Sequence, residues 1–336
     1  MSLSPVEGLA LAEIESGGEG DAPRSRGIVG RSPGQLALAR LRRDRTARVS
    51  AALLVFFVVV ALVAPLLSMV YGVGPGEDFK DKLDQCCGMP LGYLGGISGE
   101  HWFGLEPGTG RDIFIRMVYG LRTSLLIAFS AAVLSTALGM TLGVVAGYLG
   151  GWIDAVITWI TDLVLAMPFL IIALALMPTL VLRFYGERDA VPEAFGVAML
   201  IAIFVVFGWT STARLVRGQV IALREREFVE AARASGAGLG HMLFRQLLPN
   251  IWAPILVAFS LAVPQFITSE AALAFIGVGL TDETPSFGRM IYRSLDYLQT
   301  DPAYVFFPGV TIFALVLAFN LFGDALRDAL DPKSSR

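Results

Sequence analysis

Asp162 and Glu270 stand deep in apolar sequence. An ionisable side chain inside a membrane segment is expensive, and transport is the first chemistry to ask of it. A proton relay wants several acids facing one another, and this chain offers few. A cap or an ion pair at a helix end is the plainer role for both. Cys86 and Cys87 are the only cysteines, and His101 and His241 the only histidines. Cys and His alone therefore make no zinc ligand set, and no metal is expected. The lysines are Lys80, Lys82 and Lys333, and none follows a glycine. The Gly-Lys of a phosphate-binding loop is thus missing, as is a His-Glu-x-x-His helix. The reading is a non-catalytic chain with no cofactor of its own.

The most informative polar stretch runs from Arg214 to Pro249. It is too polar to span a bilayer and too periodic for a plain loop. In Glu227–Gly236, Phe228, Ala231, Ala232 and Ser235 recur at i, i+3, i+4 and i+7, one narrow face of a helix. Glu227, Glu230 and Arg233 lie off that face. Lipid-seeking helices carry bulky apolar residues, whereas this face is small. Small side chains let another backbone come close, so the face suits docking on a partner. Gly236 and Gly238 are expected to stop the helix and turn the chain. Leu239, Met242, Leu243 and Leu247 mark a second short amphipathic helix, ended by Pro249.

Those residues must be positioned by membrane helices. AVILMFWYC make up 55 % of the 336 residues and charged residues 16 %, against roughly 25 % charged in a soluble domain. Mean hydropathy is +0.65. Such a chain is neither disordered, nor a disulfide scaffold, nor a nucleic-acid binder. A bilayer core needs roughly 20 apolar residues in a helix. Six uncharged runs reach that length: 49–76, 123–153, 163–182, 194–213, 246–269 and 302–323. The first lies behind a long polar arm and reads as a retained span. Gly139, Gly143, Gly147 and Gly151 share one helix face and leave a smooth groove for a neighbouring helix. Glu270 is placed in the second half of a long helix broken around Pro264.

Basic residues set the orientation. With the N-terminus cytoplasmic, the inner segments 24–48, 214–249 and 324–336 hold eight, six and three, and the outer segments 68–121, 183–193 and 282–301 hold four, two and two. Both termini are therefore expected inside. Residues 1–22 carry five acids and no base, and read as disordered. Arg40, Arg42, Arg43, Arg45 and Arg48 read as an anchor on anionic membrane lipid.

Glu230-Ala231-Ala232, Gly236 and Leu248-Pro249 resemble the EAA loop of ABC importer permeases. The family usually has Ile two residues before Leu-Pro, where this chain has Gln246. His101-Trp102-Phe103-Gly104, Gly110-Arg111-Asp112, Tyr119–Leu125 and Gly147–Trp152 resemble the dipeptide/oligopeptide permease C subunits. So do Ala213–Gly218, Arg224–Ala232, Glu270-Ala271 through Gly279, Asn320–Asp324 and Leu326–Pro332. The resemblance covers about residues 40–333. Nickel and some glycan permeases share the pattern. The long acidic tail and an insert around 72–96 with Cys86-Cys87 depart from it.

The resemblance implies an all-α membrane protein of the bacterial inner membrane with six transmembrane helices and the type I importer permease fold. It implies half of a peptide-conducting pore, completed by a sister permease. Two cytosolic ATPases would bind ATP and Mg, and an extracytoplasmic binding protein would deliver peptide. Glu227, Phe228, Glu230, Ala231, Ala232, Arg233, Gly236 and Pro249 would couple to the ATPases. The layout is a tail over 1–48, a permease domain over 49–324 with an external loop 72–121 and a coupling loop 218–249, and a tail over 325–336. Two alternatives stand beside this reading: a same-class permease for nickel or another small solute, and an ion-coupled secondary transporter.

Overall fold

The computed structural model describes residues 33–186 and 191–331. The acidic segment 1–22, Arg24, Arg26, Arg31, Arg188, Lys333 and Arg336 lie outside the described residues. The helices are α1 (Pro33–Arg43), α2 (Arg45–Leu62), α3 (Ala64–Tyr71), α4 (Ile113–Leu149), α5 (Gly151–Ala166), α6 (Phe169–Tyr185), α7 (Glu193–Arg224), α8 (Glu227–Ala234), α9 (Leu239–Phe275), α10 (Phe287–Ser294) and α11 (Pro302–Leu330). Among the described residues, two short 3-10 turns, Lys80–Lys82 and Leu295–Tyr297, and isolated β-bridges accompany them.

Five of these helices, α2, α4, α7, α9 and α11, are long and apolar enough to cross a membrane. The expected third span is not one straight helix. It is α5 and α6, bent by 86° at Met167 and Pro168. Pro168 has no N–H to give, and its ring excludes the carbonyl one turn back. Met167 is accordingly extended, at φ −78° and ψ 130°. The opposite holds at Pro264: α9 runs unbroken from Leu248 to Phe275 through Pro254 and Pro264. Membrane helices tolerate proline where neighbouring groups satisfy the freed backbone.

α4 and α7 form the central pair. Side-chain-free positions on one meet branched side chains on the other at the same period of four. A β-carbon on Gly139, Gly143 or Gly147 would stand 2.8 Å from the Cβ of Thr212, Val216 or Val220 respectively. Gly151 does not belong to this stripe. It opens α5 at φ +59°, beyond the end of α4. The main apolar core lies between α2, α4, α6, α7, α9 and α11, with Ile127, Phe204, Ile267 and Leu315 fully buried. Large apolar side chains such as Phe129, Val70 and Phe313 stay exposed on the outer faces, where a membrane helix meets lipid.

Ion pairs and aromatic contacts, such as Tyr71 on Trp102 and Phe103 stacked on Phe307, join the connections at one end of the bundle. Asp112 caps α4 by accepting from the Ile115 amide at 3.0 Å, and its other oxygen meets Tyr71 Oη at 3.0 Å and His101 Nδ1 at 2.8 Å. Arg116 pairs with Glu106 at 2.7 Å, both buried. Arg111 and Arg116 donate to the Asp282 carbonyl at 3.0 and 3.1 Å. The Asp282 carboxylate receives Arg289 and Arg293. Partial burial works against its charge, yet the two guanidiniums prevail and hold its pKa at about 2.

The basic arm is more structured than a lipid anchor requires. Arg45 and Arg48 already belong to α2, whose N-cap Asp44 accepts from the Thr46 amide. Arg40 donates to the carbonyls of Ala329 and Asp331 at 3.3 and 2.9 Å, closing the C-terminus of α11. A cation is favourable at that end of a helix dipole. Arg42, Arg43, Arg45 and Arg48 remain exposed.

Candidate functional site

The segment between α7 and α9 folds as the sequence suggests, with one change of face. α8 carries Glu227 and Glu230 in its first turn and Arg233 in its last, the order a helix dipole favours. Its C-terminus is a Schellman turn. The Ala237 amide donates to the Ala232 carbonyl at 3.1 Å and the Gly236 amide to the Arg233 carbonyl at 3.0 Å. Gly236 sits at φ +78°, which glycine adopts without strain. Gly238 does not share this role. It is extended, at φ −69° and ψ 164°, and leads into α9.

What fixes α8 is Val229, a residue the spacing argument passed over. It is fully buried. It packs in a second apolar cluster with Val144 of α4, Val216 and Val220 of α7, and Met242, Leu247 and Ile251 of α9. Ala232 and Ala237 lean on the same cluster. Ala232 therefore sits on the inner side of α8 rather than on a free docking face. Phe228, at 40 % exposure, and Glu227, Glu230, Ala231, Arg233 and Ser235 face outward. Arg233 also lies over the ring of Tyr148, 5.9 Å from its centre. One more tie closes the junction: Arg224 donates to the Gly147 carbonyl at the end of α4, at 3.2 Å.

Pro249 does not end a separate helix. The chain runs from Leu239 into the span without a break, but Met242–Leu247 forms a π-helical turn just before it. A proline in a running helix removes one amide and crowds the carbonyl one turn earlier. The widened turn takes up that misfit. Pro249 itself is exposed.

The two intramembrane acids are both engaged. Asp162 on α5 pairs with Arg214 on α7 at 2.7 Å, and both side chains are more than half exposed. Nearby, Arg217 grips both oxygens of Asp154 at 2.5 and 2.8 Å. Asp162, Arg214 and Arg217 border a cavity of about 170 Å³ that Gly143, Thr158 and Thr161 also line. Glu270 is buried and accepts from Ser124 Oγ at 3.0 Å, which ties α9 to α4. The two acids therefore bind separate helix pairs and do not come together.

Residues 139–336 match the family model for the binding-protein-dependent transport system inner membrane component. Residues 32–78 match the N-terminal TM domain of oligopeptide transport permease C. The chain is 39 % identical over 302 residues to the dipeptide transport system permease protein DppC of Alkalihalophilus pseudofirmus, covering 90 % of each. It is 34 % identical over 297 residues to the oligopeptide transport system permease protein OppC of Bacillus subtilis, covering 88 % of each. It is 35 % identical over 303 residues to the glutathione transport system permease protein GsiD of Escherichia coli, covering 90 % of this chain and 91 % of that one. Among solved structures, a chain of the inward-facing MetNI methionine ABC transporter superposes with a TM-score of 0.51 at 20 % identity, over 65 % of this chain and 98 % of its own. At that identity the likeness speaks for the fold. The glycine-seamed helix pair, the broken third span and the Schellman-capped loop thus belong to a member of the binding-protein-dependent inner membrane transport family, in its branch of dipeptide and oligopeptide permease C subunits.

Proposed function

We propose that this permease subunit conducts peptides and that α8 is where a cytosolic ATPase takes hold of it. The peptide reading rests on the relatives, whose names give dipeptides, oligopeptides and glutathione as cargo. The ATPase reading rests on one observation: α8 has two differently engaged sides. Val229 and Ala232 lock it to the ends of α4, α7 and α9, while Glu227, Phe228, Glu230 and Ala231 stay open to a partner. A helix held so can pass a push from a bound subunit directly into the spans.

The remaining assembly follows from that assignment. A sister permease completes the pore, and two ATPases bind ATP and Mg on the cytosolic side. A binding protein brings peptide to the opposite end, where residues 72–121 lie. Both termini face the cytosol. ATP binding draws the ATPases together and moves α8, the spans reorient, and hydrolysis resets them. The chain performs no bond chemistry.

Glu230→Lys and Gly236→Val test this in the reconstituted complex. The first inverts a charge on the open side. The second forces a β-branched side chain into left-handed backbone, at a cost of about 1–2 kcal/mol. Both should insert and leave nucleotide binding intact, yet lose peptide uptake and substrate-stimulated hydrolysis together. Wild-type uptake by both variants would end the coupling assignment.

A further inference from the structure

Cys86 and Cys87 sit in a turn that is more constrained than an exposed loop needs to be. Leu83 and Pro90 pair across its base as an antiparallel bridge. The Asp84 amide donates to the Met89 carbonyl at 2.7 Å, and the Gly88 amide donates back to the Asp84 carbonyl at 2.8 Å. A third bond, from the Gly108 amide to the Gly88 carbonyl at 2.8 Å, ties the turn to its neighbour. Asp84 Oδ1 accepts from the Cys86 amide at 3.2 Å, so the carboxylate lies over the turn. The two sulfurs are 3.2 Å apart and both cysteines are exposed.

Three groups of ligand chemistry thus converge. One oxygen of Asp84 and the two sulfurs lie within 4.8 Å of one another, the one such group among the described residues. We propose that Asp84, Cys86 and Cys87 form a binding site for a single thiophilic divalent cation of the zinc or cadmium class. This revises the expectation of no metal, which counted only cysteine and histidine as ligands. It also stands apart from the coupling role of α8, because the two regions share no residue.

The geometry suits the ion. A tetrahedral ion with sulfur at about 2.3 Å holds two sulfurs about 3.8 Å apart. The pair must open by roughly half an ångström, which small side-chain rotations supply. Two sulfurs select a soft ion over magnesium or calcium, which prefer all-oxygen cages. On binding, each thiol gives its proton to solvent, so two thiolates and one carboxylate leave the site with one net negative charge. The fourth position faces solvent and takes water.

Cadmium(II) added to the full-length chain in detergent, after reduction by a phosphine, is the direct test. One ion per chain should bind with the ultraviolet sulfur-to-metal absorption of a dithiolate. Cys86→Ser and Cys87→Ser should each cut that band to half or less and weaken binding, while eluting normally in size exclusion. Asp84→Asn should keep the band and weaken binding by at least about tenfold, since even the outer groups that orient a metal ligand are worth that much. Absence of the band in the unmodified chain would overturn the site, as would cadmium binding unchanged by either serine variant. Affinity unchanged in Asp84→Asn would remove the carboxylate from the ligand set and with it the proposed site.

Discussion

Gly147 lies so close to Val220 that a β-carbon on it would stand 2.8 Å from the Val220 Cβ. The same fit recurs one turn earlier between Gly143 and Val216. Gly143→Leu and Gly147→Leu should therefore push α7 off α4. Overpacking of this kind costs about 1–3 kcal/mol. Melting in detergent should show both variants well below the parent. Gly218→Ala, on α7 with open space around it, should melt no lower than the parent. A seam that tolerated leucine would mean the helices do not meet this closely.

Val229 and Phe228 are neighbours with opposite duties. Val229→Ala hollows the cluster beneath α8 and should cost about 1–3 kcal/mol, as buried truncations do. Phe228→Ala should leave the melting temperature unchanged and weaken co-purification of the ATPase. Equal effects of the two on melting would contradict the two-sided helix.

Asp282 should make its end of the bundle sensitive to acid. Its folded pKa is about 2, while an unfolded aspartate titrates near about 3.9. A lowered folded pKa means the stabilisation is complete above the unfolded value and disappears as pH falls from about 4 towards 2. Protease cleavage within 276–301 should rise across that window. Asp282→Asn should cleave readily already at neutral pH and show no further step there.

Orientation can be read by thiol labelling in a background with both native cysteines changed to serine. Lys80→Cys should react with an impermeant reagent in intact cells, and Gly240→Cys should not. The reverse pattern would invert the membrane topology.

Much of this architecture can be read from residue types alone, for identifiable reasons. Three glycines at a period of four have few uses in a membrane helix, and they do face Thr212, Val216 and Val220. Gly236 followed an eight-residue amphipathic stretch and proved to be its left-handed cap. The misses share a cause as well. Hydropathy weighs side chains and is blind to backbone, so residues 163–182 read as one rod while Pro168 divides them. Pro264 carried the same warning yet lies buried inside an intact helix, because a membrane helix keeps a proline where neighbouring groups satisfy the freed backbone. Val229 escaped notice because a short helix covered on one side and open on the other has two meaningful faces, and periodicity selects one. Asp84 was invisible as a ligand because only the turn brings it to the sulfurs.

α4 reaches from Asp112, pinned by His101 and Tyr71, to Gly147, held by Arg224. Its 37 residues make a rod about 56 Å long at 1.5 Å per residue. Such a strut has leverage. A tilt of about 10° around its Asp112 end displaces the other end by about 10 Å, given that length. On the proposed coupling, the ionic collar at Asp112 would serve as the pivot and the Val144–Val229 cluster as the handle. Stiffness at one surface of the bundle becomes travel at the other, so loosening the collar should shorten the stroke even with the handle intact.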